Sequence, residues 1–393
     1  MTDLNTATFD DVYQLATPEE IIEDARNGRM YILVDAEDRE NEGDLIIPAQ
    51  FATPDAINFM ARFGRGLICL AIEEQKADIL GLEPQNKNNA SRFETAFTQS
   101  IEAREGVTTG ISAADRALTI QVAIDPDSRP DDIVTPGHMF PLIAKDGGVL
   151  VRTGHTEASV DISRMAGLNP SAVICEIMND DGTMARLPDL IKFAQFHGMK
   201  IGTIEDLVAY RMQKDHFVKY VASSDFRSQN GDAFKIHVYR NFLDGLEHVA
   251  LSKGEAVPGK ESLVRVHKID FAGDILSEDS PRSGLIWDAM KQLADHDGHS
   301  VLVLIREGSI DSLLERLGAH KSKIDRKSQT IREYGVGAQI LSHQGVRKMR
   351  LITNVMPKII GLDAYDLELV GICLLYTSPS PRDLSTSRMP SSA

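Results

Sequence analysis

Cysteine is nearly missing from this chain: 393 residues contain three, Cys69, Cys175 and Cys373. So few thiols exclude a disulfide framework and point to a reducing, cytoplasmic setting. Long apolar runs are missing too. None approaches the roughly 20 residues that span a bilayer, so no membrane partner is expected. Basic excess is also absent, with 42 Lys and Arg against 58 Asp and Glu and a net charge of -16. Nonspecific nucleic-acid binding needs cationic surface to neutralise phosphates, so no nucleic-acid partner is expected. The opening stretch MTDLNTATFDDVYQL lacks the basic region and apolar core of a signal peptide. What remains is an ordinary soluble composition, 42% hydrophobic and 25% charged, long enough for about two domains.

Cap signals and apolar periods organise the chain. TPEEIIEDARNG predicts a helix: Thr17 caps it, Pro18 takes the first position, Glu20 completes a capping box and Gly28 ends it. MYILVDA reads as a buried strand. TPDAINFMARFGRG repeats the Thr-Pro start at Thr53, with Gly64 and Gly66 beyond, and GLICLAI is another short strand. Helical and strand periods alternate as far as TIEDLVAYRMQKDH, capped at Thr203, which gives an α/β or α+β domain ending near residue 212. Beyond it FKIHVYRNF, EHVALSKG, SLVRVHKI, SVLVLIRE and KMRLITNV read as strands. GLIWDAMKQLADHDG and TIREYGVGAQILSHQG read as helices, the latter closed by Gly345. This second domain runs from about 215 to 371. The Ser- and Pro-rich tail 372–393 has no apolar period and resembles a sequencing adapter read in frame. It is expected to be non-native, Cys373 included, with the natural C-terminus missing.

The densest charge lies in VDAEDRENEGDLIIPAQ, where Asp35, Glu37, Asp38, Glu40, Glu42 and Asp44 surround Arg39. A solvated loop, a cation site and general acid/base chemistry are all open readings of this stretch. Three further patches bear on the choice. REGVTTGISAADRA is a Gly- and Thr-rich turn leading into a helix, either a plain turn or a donor-rich anion cradle. TPGHMFPLIAKDGGVLVRTGHTEASVD carries His138, Arg152, His155, Thr156 and Glu157. VICEIMNDDGTMAR sets Glu176 at the end of an apolar run, where a carboxylate is costly unless paired or functional. Together they make sense as a sugar-phosphate site beside a hard divalent cation, which prefers carboxylate oxygens and leaves room for water and substrate. RTGHT supplies a guanidinium, an imidazole and a hydroxyl within five residues. His138 and Glu176 are then left for proton transfer.

DAEDRENEGD, GVTTGISAADRA, TPGHMFPL, RTGHTEASVD and CEIMNDDGTMAR, in that order over roughly residues 15 to 212, resemble the 3,4-dihydroxy-2-butanone 4-phosphate synthase family of riboflavin biosynthesis. The resemblance implies a carbon-carbon lyase that converts D-ribulose 5-phosphate to 3,4-dihydroxy-2-butanone 4-phosphate and formate. It implies Mg²⁺ or Mn²⁺ as cofactor, two ions per active site, with Glu40 and His155 as metal ligands. Arg39, Glu40, Asp44, Arg152, Thr153, Gly154, His155, Thr156 and Glu176 should contact the sugar phosphate, and His138 and Glu176 should be catalytic. Glu42 is a further candidate acid, and Asp35, Glu37 and Asp38 are expected only to shape the loop. The fold implied is α+β, a three-layer α/β/α synthase domain over 1–212 followed by a mixed α/β domain over 215–371. A homodimer with sites near its interface is implied as well.

DGLEHVALSKG, LVRVH, REYGVGAQILSHQGVRKMRLITN and KIIGLDAYDLELV resemble GTP cyclohydrolase II, a family commonly fused behind the synthase. Its zinc site needs three cysteines. In VRVHKIDFAGDILSEDSPRSG those positions hold Asp270, Pro281 and Ser283, and proline cannot ligate. The loop after SVLVLIRE has become GSIDSLLERLG, and the acid expected two residues before Arg332 is Thr330. No zinc and no GTP hydrolysis are therefore expected. The alternatives are a bifunctional enzyme with unusual ligands, a non-catalytic scaffold of the pathway, and an unrelated Mg²⁺-dependent sugar-phosphate lyase or isomerase.

Overall fold

The computed structural model describes residues 13–86, 95–280, 282–306, 326–353 and 362–374. The chain divides into two compact units, Met1–Arg211 and Met212–Ala393, each built on a seven-stranded mixed sheet.

In the first unit, α1 (Pro18–Arg26) starts at the expected capping box. The Thr17 hydroxyl accepts the Glu20 N–H at 3.3 Å, and the Glu20 carboxylate accepts the Thr17 N–H at 2.9 Å. β1 (Tyr31–Val34) then turns through the acidic loop into β2 (Gly43–Pro48), with Leu33 opposite Asp44 and Val34 opposite Gly43. The acidic stretch is thus a hairpin connection. Its second strand, buried along its length, carries a charged residue at its second position and has no two-residue period to announce it. α2 (Pro54–Phe59), capped by Thr53, runs into a π-helical turn, Met60–Gly64, that ends at Arg65 with φ 69°. After it come β3 (Cys69–Glu73), α3 (Glu74–Ile79), β4 (Ile101–Ala103), α4 (Ala113–Ile124) and β5 (Ile133–Ala144). α5 (His155–Met165), β6 (Ser171–Glu176), α6 (Leu187–His197), β7 (Ile201–Thr203) and α7 (Ile204–Lys214) complete the series. The strand order is β4-β5-β3-β6-β2-β1-β7.

Alternation along the strands sorts their side chains into two layers. Ile32, Leu45, Leu70 and Val173 join a core with Ile57 of α2, Ile120 of α4 and Leu190 of α6. Ala71 and Ala144 look the other way and pack on Val160 of α5, while a Cβ at Gly202 would lie 2.9 Å from Ile21 of α1. Helices therefore cover both faces, giving the α/β/α layering. Each fully buried aliphatic side chain contributes roughly 1.5–3 kcal/mol.

The second unit contains β8 (Val218–Arg227), β9 (Ala233–Asn241), β10 (Glu247–Lys253), β11 (Glu261–Lys268), α8 (Leu285–Asp295), β12 (Ser300–Ile305), α9 (Arg326–His343), β13 (Lys348–Thr353) and β14 (Glu368–Leu374). β8, β9 and β10 form an antiparallel meander that joins β12 antiparallel, while β12, β11, β13 and β14 run parallel. Leu251, Leu263 and Leu302 pack on Ala289, Met290 and Leu293 of α8. The fold is α+β in two units, as the sequence predicts.

One boundary moves. Ile372, Cys373 and Leu374 pair with Leu351, Ile352 and Thr353 as the end of β14, and Cys373 packs against the second core. These three residues belong to the fold because the apolar run GICLL continues the strand. The expectation that the tail begins at 372 and takes Cys373 with it is corrected; residues 375–393 lie outside the described residues.

Gly137 allows the β4–β5 pairing. A Cβ there would lie 2.1 Å from the backbone carbonyl of Ile101, which has no rotamer to yield. Gly137→Ala should therefore destabilise the protein by about 1–3 kcal/mol, read as a lowered midpoint in thermal unfolding.

Candidate active site

The acidic loop folds around a buried residue, Asp35. Its Oδ1 accepts the Glu42 N–H at 2.8 Å, and its Oδ2 accepts the Glu40 N–H at 3.0 Å and Arg39 Nη1 at 2.8 Å. Arg39 also reaches Glu40 Oε2 at 2.6 Å. Asp35 does shape the loop, as expected, and Glu37 and Asp38 are exposed. Arg186 closes the loop from outside by donating to the carbonyls of Glu40 and Asn41.

Behind the loop, Asp44 of β2 stands opposite Glu176 of β6 in the antiparallel register. Two carboxyls in one dry place repel when both ionise. Burial raises Asp44 well above the ordinary carboxylate range, with further push from the charges of Glu176, Glu40, Glu42 and Asp35. Glu176 is raised as well, first by burial, against hydrogen bonds that favour its ionised form. One of these bonds is donated by the Leu67 N–H to Oε2 at 2.8 Å. That approach needs Gly66, where a Cβ would lie 2.5 Å from both the Glu176 carbonyl and its Oε2. Burial followed by the Glu40 charge raises Glu42 too.

His155, the first residue of α5, is buried beside this pair. Its Nε2 lies 3.2 Å from the Leu33 carbonyl. A carbonyl only accepts, so Nε2 carries the proton and Nδ1 keeps its lone pair. Nδ1 faces Glu40 Oε2 at 3.9 Å. Burial lowers the imidazole below its ordinary value despite the pull of the Asp35 charge, so the ring is neutral, as a metal ligand must be.

Donor atoms of Asp35, Glu40 and His155 lie within 4.8 Å of one another, the one such cluster among the described residues. Carboxylate oxygens with one imidazole suit a hard divalent cation. Asp44 Oδ1 is buried without a hydrogen-bond partner and sits 3.8 Å from His155 Nε2. The residues present therefore fit such an ion. Asp35 already takes N–H donors on both oxygens, so Glu40 and His155 are the better-disposed pair.

The turn before α5 is tied down by its own side chains. Arg152 Nη1 is held by buried Glu157 at 2.6 Å, and Nη2 reaches the Thr95 hydroxyl at 3.2 Å. Thr153 is half-buried, Gly154 caps the helix, and Thr156 is buried with its carbonyl accepting the Ser159 hydroxyl. Arg152 thus fixes the entry to α5, and this segment brings His155 to Glu40.

His138 stands on β5 in a second polar cluster. Its Nδ1 is 3.2 Å from Glu102 Oε1 of β4. Nearby, Asp115 gathers the Gly/Thr loop, accepting the Thr108 hydroxyl at 2.8 Å, the Thr108 N–H at 3.1 Å and the Gly110 N–H at 3.1 Å. The Thr108 hydroxyl and N–H pull its carboxyl down to about 2. The structure therefore gathers Arg39, Glu40, Asp44, His155 and Glu176 in one place and sets His138 in a separate partnership. Sequence reading passed over Asp35 as a possible ligand, Arg186 as the loop's clasp and Glu102 as the partner of His138. GTMAR ends on Arg186, and that was the one available signal among the three.

Residues 19–210 match the family model of 3,4-dihydroxy-2-butanone 4-phosphate synthase, and residues 219–373 that of GTP cyclohydrolase II. The riboflavin biosynthesis protein RibBA of Aquifex aeolicus is 46% identical over 385 residues, covering 94% of each chain. The chain belongs to the 3,4-dihydroxy-2-butanone 4-phosphate synthase family. A 3,4-dihydroxy-2-butanone 4-phosphate synthase of Neisseria meningitidis is 47% identical over 356 residues, 90% of this chain and 96% of its own. The crystal structure of RibBX, a two-domain 3,4-dihydroxy-2-butanone 4-phosphate synthase from A. baumannii, aligns with TM-score 0.76 and 39% identity. That alignment covers 92% of this chain and all of the other.

In the synthase's second unit, Asp270 caps the π-helical turn Phe271–Ile275, its Oδ1 accepting the Gly273 N–H at 2.7 Å. Ser283 donates its N–H to the Ser280 carbonyl in a turn. Pro281 and the loop 308–318 lie outside the described residues, as do the side chains of Thr330 and Arg332. At the end of β11, buried His267 pairs through Nε2 with Asp274 at 2.9 Å. Arg265 contacts the Ile352 carbonyl at 3.1 Å.

The raised Asp44–Glu176 couple has a thermodynamic sign. Carboxyls whose folded value lies above the unfolded one stabilise the fold while protonated, and that contribution is lost as pH rises through the folded value. At neutral pH the couple therefore costs stability. Asp44→Asn should raise the unfolding midpoint of chelator-treated protein by about 2–4 °C, with the gain growing as pH increases from about 4. A midpoint difference that stays flat with pH would show that the Asp44 carboxyl is not raised in the fold.

Proposed function

We propose that the first unit converts D-ribulose 5-phosphate to 3,4-dihydroxy-2-butanone 4-phosphate and formate in riboflavin biosynthesis. The observation that carries this reading is the meeting of Glu40, neutral His155, buried Asp44 and half-buried Glu176 at the ends of β1, β2, β6 and α5. Family membership supports it, and so do the names of the relatives. Glu40 and His155 would hold Mg²⁺ or Mn²⁺, two ions per site. When bound, the metal supplies Lewis acidity that polarises a carbonyl and acidifies its neighbouring C–H.

The chain's own residues do the rest. Arg39, carried on the loop by Asp35 and Glu40, meets the sugar phosphate as a planar donor. The segment Arg152 to Thr156 presents the start of α5, where an anion is favoured. Glu176, raised by burial, is the carboxyl disposed to deliver a proton to a departing hydroxyl. His138, exposed on β5, moves protons at the other end of the substrate. Gly66 and the Leu67 N–H fix the direction of the Glu176 carboxyl. The enzyme works as a cytoplasmic homodimer.

The second unit we read as lacking GTP cyclohydrolase II activity and zinc. It holds a single cysteine, Cys373, which packs against the core of its own sheet. Asp270 is already committed to capping its turn. The bifunctional alternative has support of its own, because the family match runs through residue 373 and a relative carries the RibBA name.

Formate release tests both units at once. Purified protein given ribulose 5-phosphate should release formate, lose that activity with chelator and regain it with Mg²⁺. Glu40→Gln and His155→Ala should each lower the rate by at least about 100-fold while keeping the thermal midpoint. Near-normal turnover in either variant would remove the ligand assignment. With GTP no formate should appear and metal analysis should find no zinc; formate from GTP would overturn the reading of the second unit.

A further inference from the structure

Glu102 has no part in the reading above, yet it is the residue that touches His138. The β4–β5 register jumps between Ile101, opposite Met139, and Glu102, opposite Val134, so that residues 135–138 of β5, His138 among them, stand out between the two paired positions. Such an irregularity re-aims the side chains within it, that of His138 included. Here the carboxylate ends 3.2 Å from His138 Nδ1. The Ala103 N–H donates to the Thr119 hydroxyl at 3.1 Å, pinning β4 to α4. Over the pair lies Gly110, φ 84°, where a Cβ would fall 1.1 Å from Glu102 Oε1 and 2.6 Å from His138 Nδ1. The Gly110 N–H is in turn held by Asp115.

We propose that Glu102 is a positioning residue that selects the Nδ1–H tautomer of His138, leaving the Nε2 lone pair to accept the substrate proton. This rests on the reading of His138 as a proton-transfer group. An ionised carboxylate only accepts, so the ring nitrogen it faces must carry hydrogen. The His138 side chain is 43% exposed and that of Glu102 15%, so the ring is open to substrate while its partner is sheltered. An exposed ion pair kept for stability is worth little and has no need of a backbone packed against both partners. The Thr108–Gly110 loop, drawn in by Asp115, provides that packing and prevents the carboxylate from swinging away.

The test uses the full chain labelled with ¹⁵N-histidine, with the His138 resonances identified by their loss in His138→Ala. Ring ¹⁵N shifts at alkaline pH report the tautomer directly, and steady-state formate release from ribulose 5-phosphate is measured alongside. Wild type should show Nδ1–H. Glu102→Gln should keep it, since the amide oxygen also accepts, and should retain most of kcat. Glu102→Ala should shift the ring toward Nε2–H and lower kcat by at least about 10-fold with little change in KM. An Nε2–H ring in wild type, or unchanged kcat in Glu102→Ala, overturns the proposal. If Glu102→Ala does not fold, the wild-type tautomer and the Glu102→Gln kinetics decide. Full kcat in His138→Ala, or no formate from wild type, would sink the reading of His138 and the proposal with it. The tautomer spectra tell that failure from a failure of Glu102 to hold the ring.

Discussion

Two carboxyls facing each other across neighbouring strands, one buried and one half-buried, is the constraint on which the first unit depends. Burial and then the Glu176 charge raise the proton affinity of Asp44, burial and the Glu40 charge raise that of Glu176, and nothing in folding alone rewards that arrangement. Everything around them manages it. Leu67 gives Glu176 an N–H donor, Gly66 makes the room, and the hairpin loop brings Arg39 to its outer side between Asp35 and Glu40. A site that stores repulsion in this way is primed for a cation or a proton, and both are what sugar-phosphate chemistry consumes.

The secondary structure serves placement more than stability here. β1 ends at the loop and β2 begins after it, so Asp35 and Asp44 share one hairpin although nine positions separate them. α5 starts where the turn through Arg152 and Gly154 releases it, and its first residue is His155. The Arg152–Glu157 pair sits at that start with one partner fully buried. Removing either partner would leave a lone buried charge, the costly kind of loss. The π-helical turn Met60–Gly64 similarly delivers left-handed Arg65, and then Gly66 and Leu67, to the edge of Glu176. π turns inside helices often mark functional positions for this geometric reason.

Much of this was legible from local pattern, and what escaped shares one cause. The Thr17–Glu20 box, the Thr53 cap, the buried strand of Glu176 and most strands of the second unit depend on neighbours within a few residues. Glu40 and His155 were legible because long motifs carried them, and Glu176 because a carboxylate in an apolar run is conspicuous. β2 was not, since it is buried on both faces and its charged Asp44 looks like the continuation of the loop. The use of Asp35 as the loop's internal anchor and the contact of Glu102 with His138 both arise from backbone geometry. The latter needs a bulged stretch of β5 opposite Glu102 and a glycine at 110, and no spacing rule links them. Cys373 was misplaced for the opposite reason: the odd composition after it obscured the apolar run that makes it part of β14.

The two units separate what a fold needs from what a site needs. In the second, the parallel run β12-β11-β13-β14 and its helix α8 depend on aliphatic side chains that are present and packed. Ligand positions impose no comparable demand on packing. Asp270 can close a turn as well as any capping residue, and Ser283 can sit in a turn without binding anything. A change of side chain in such a loop is therefore cheap for stability, whereas loss of Leu263 or Leu302 would not be, at about 2–5 kcal/mol for truncation to alanine. The opposite holds around Asp44 and Glu176, where the residues kept are those that packing alone would replace.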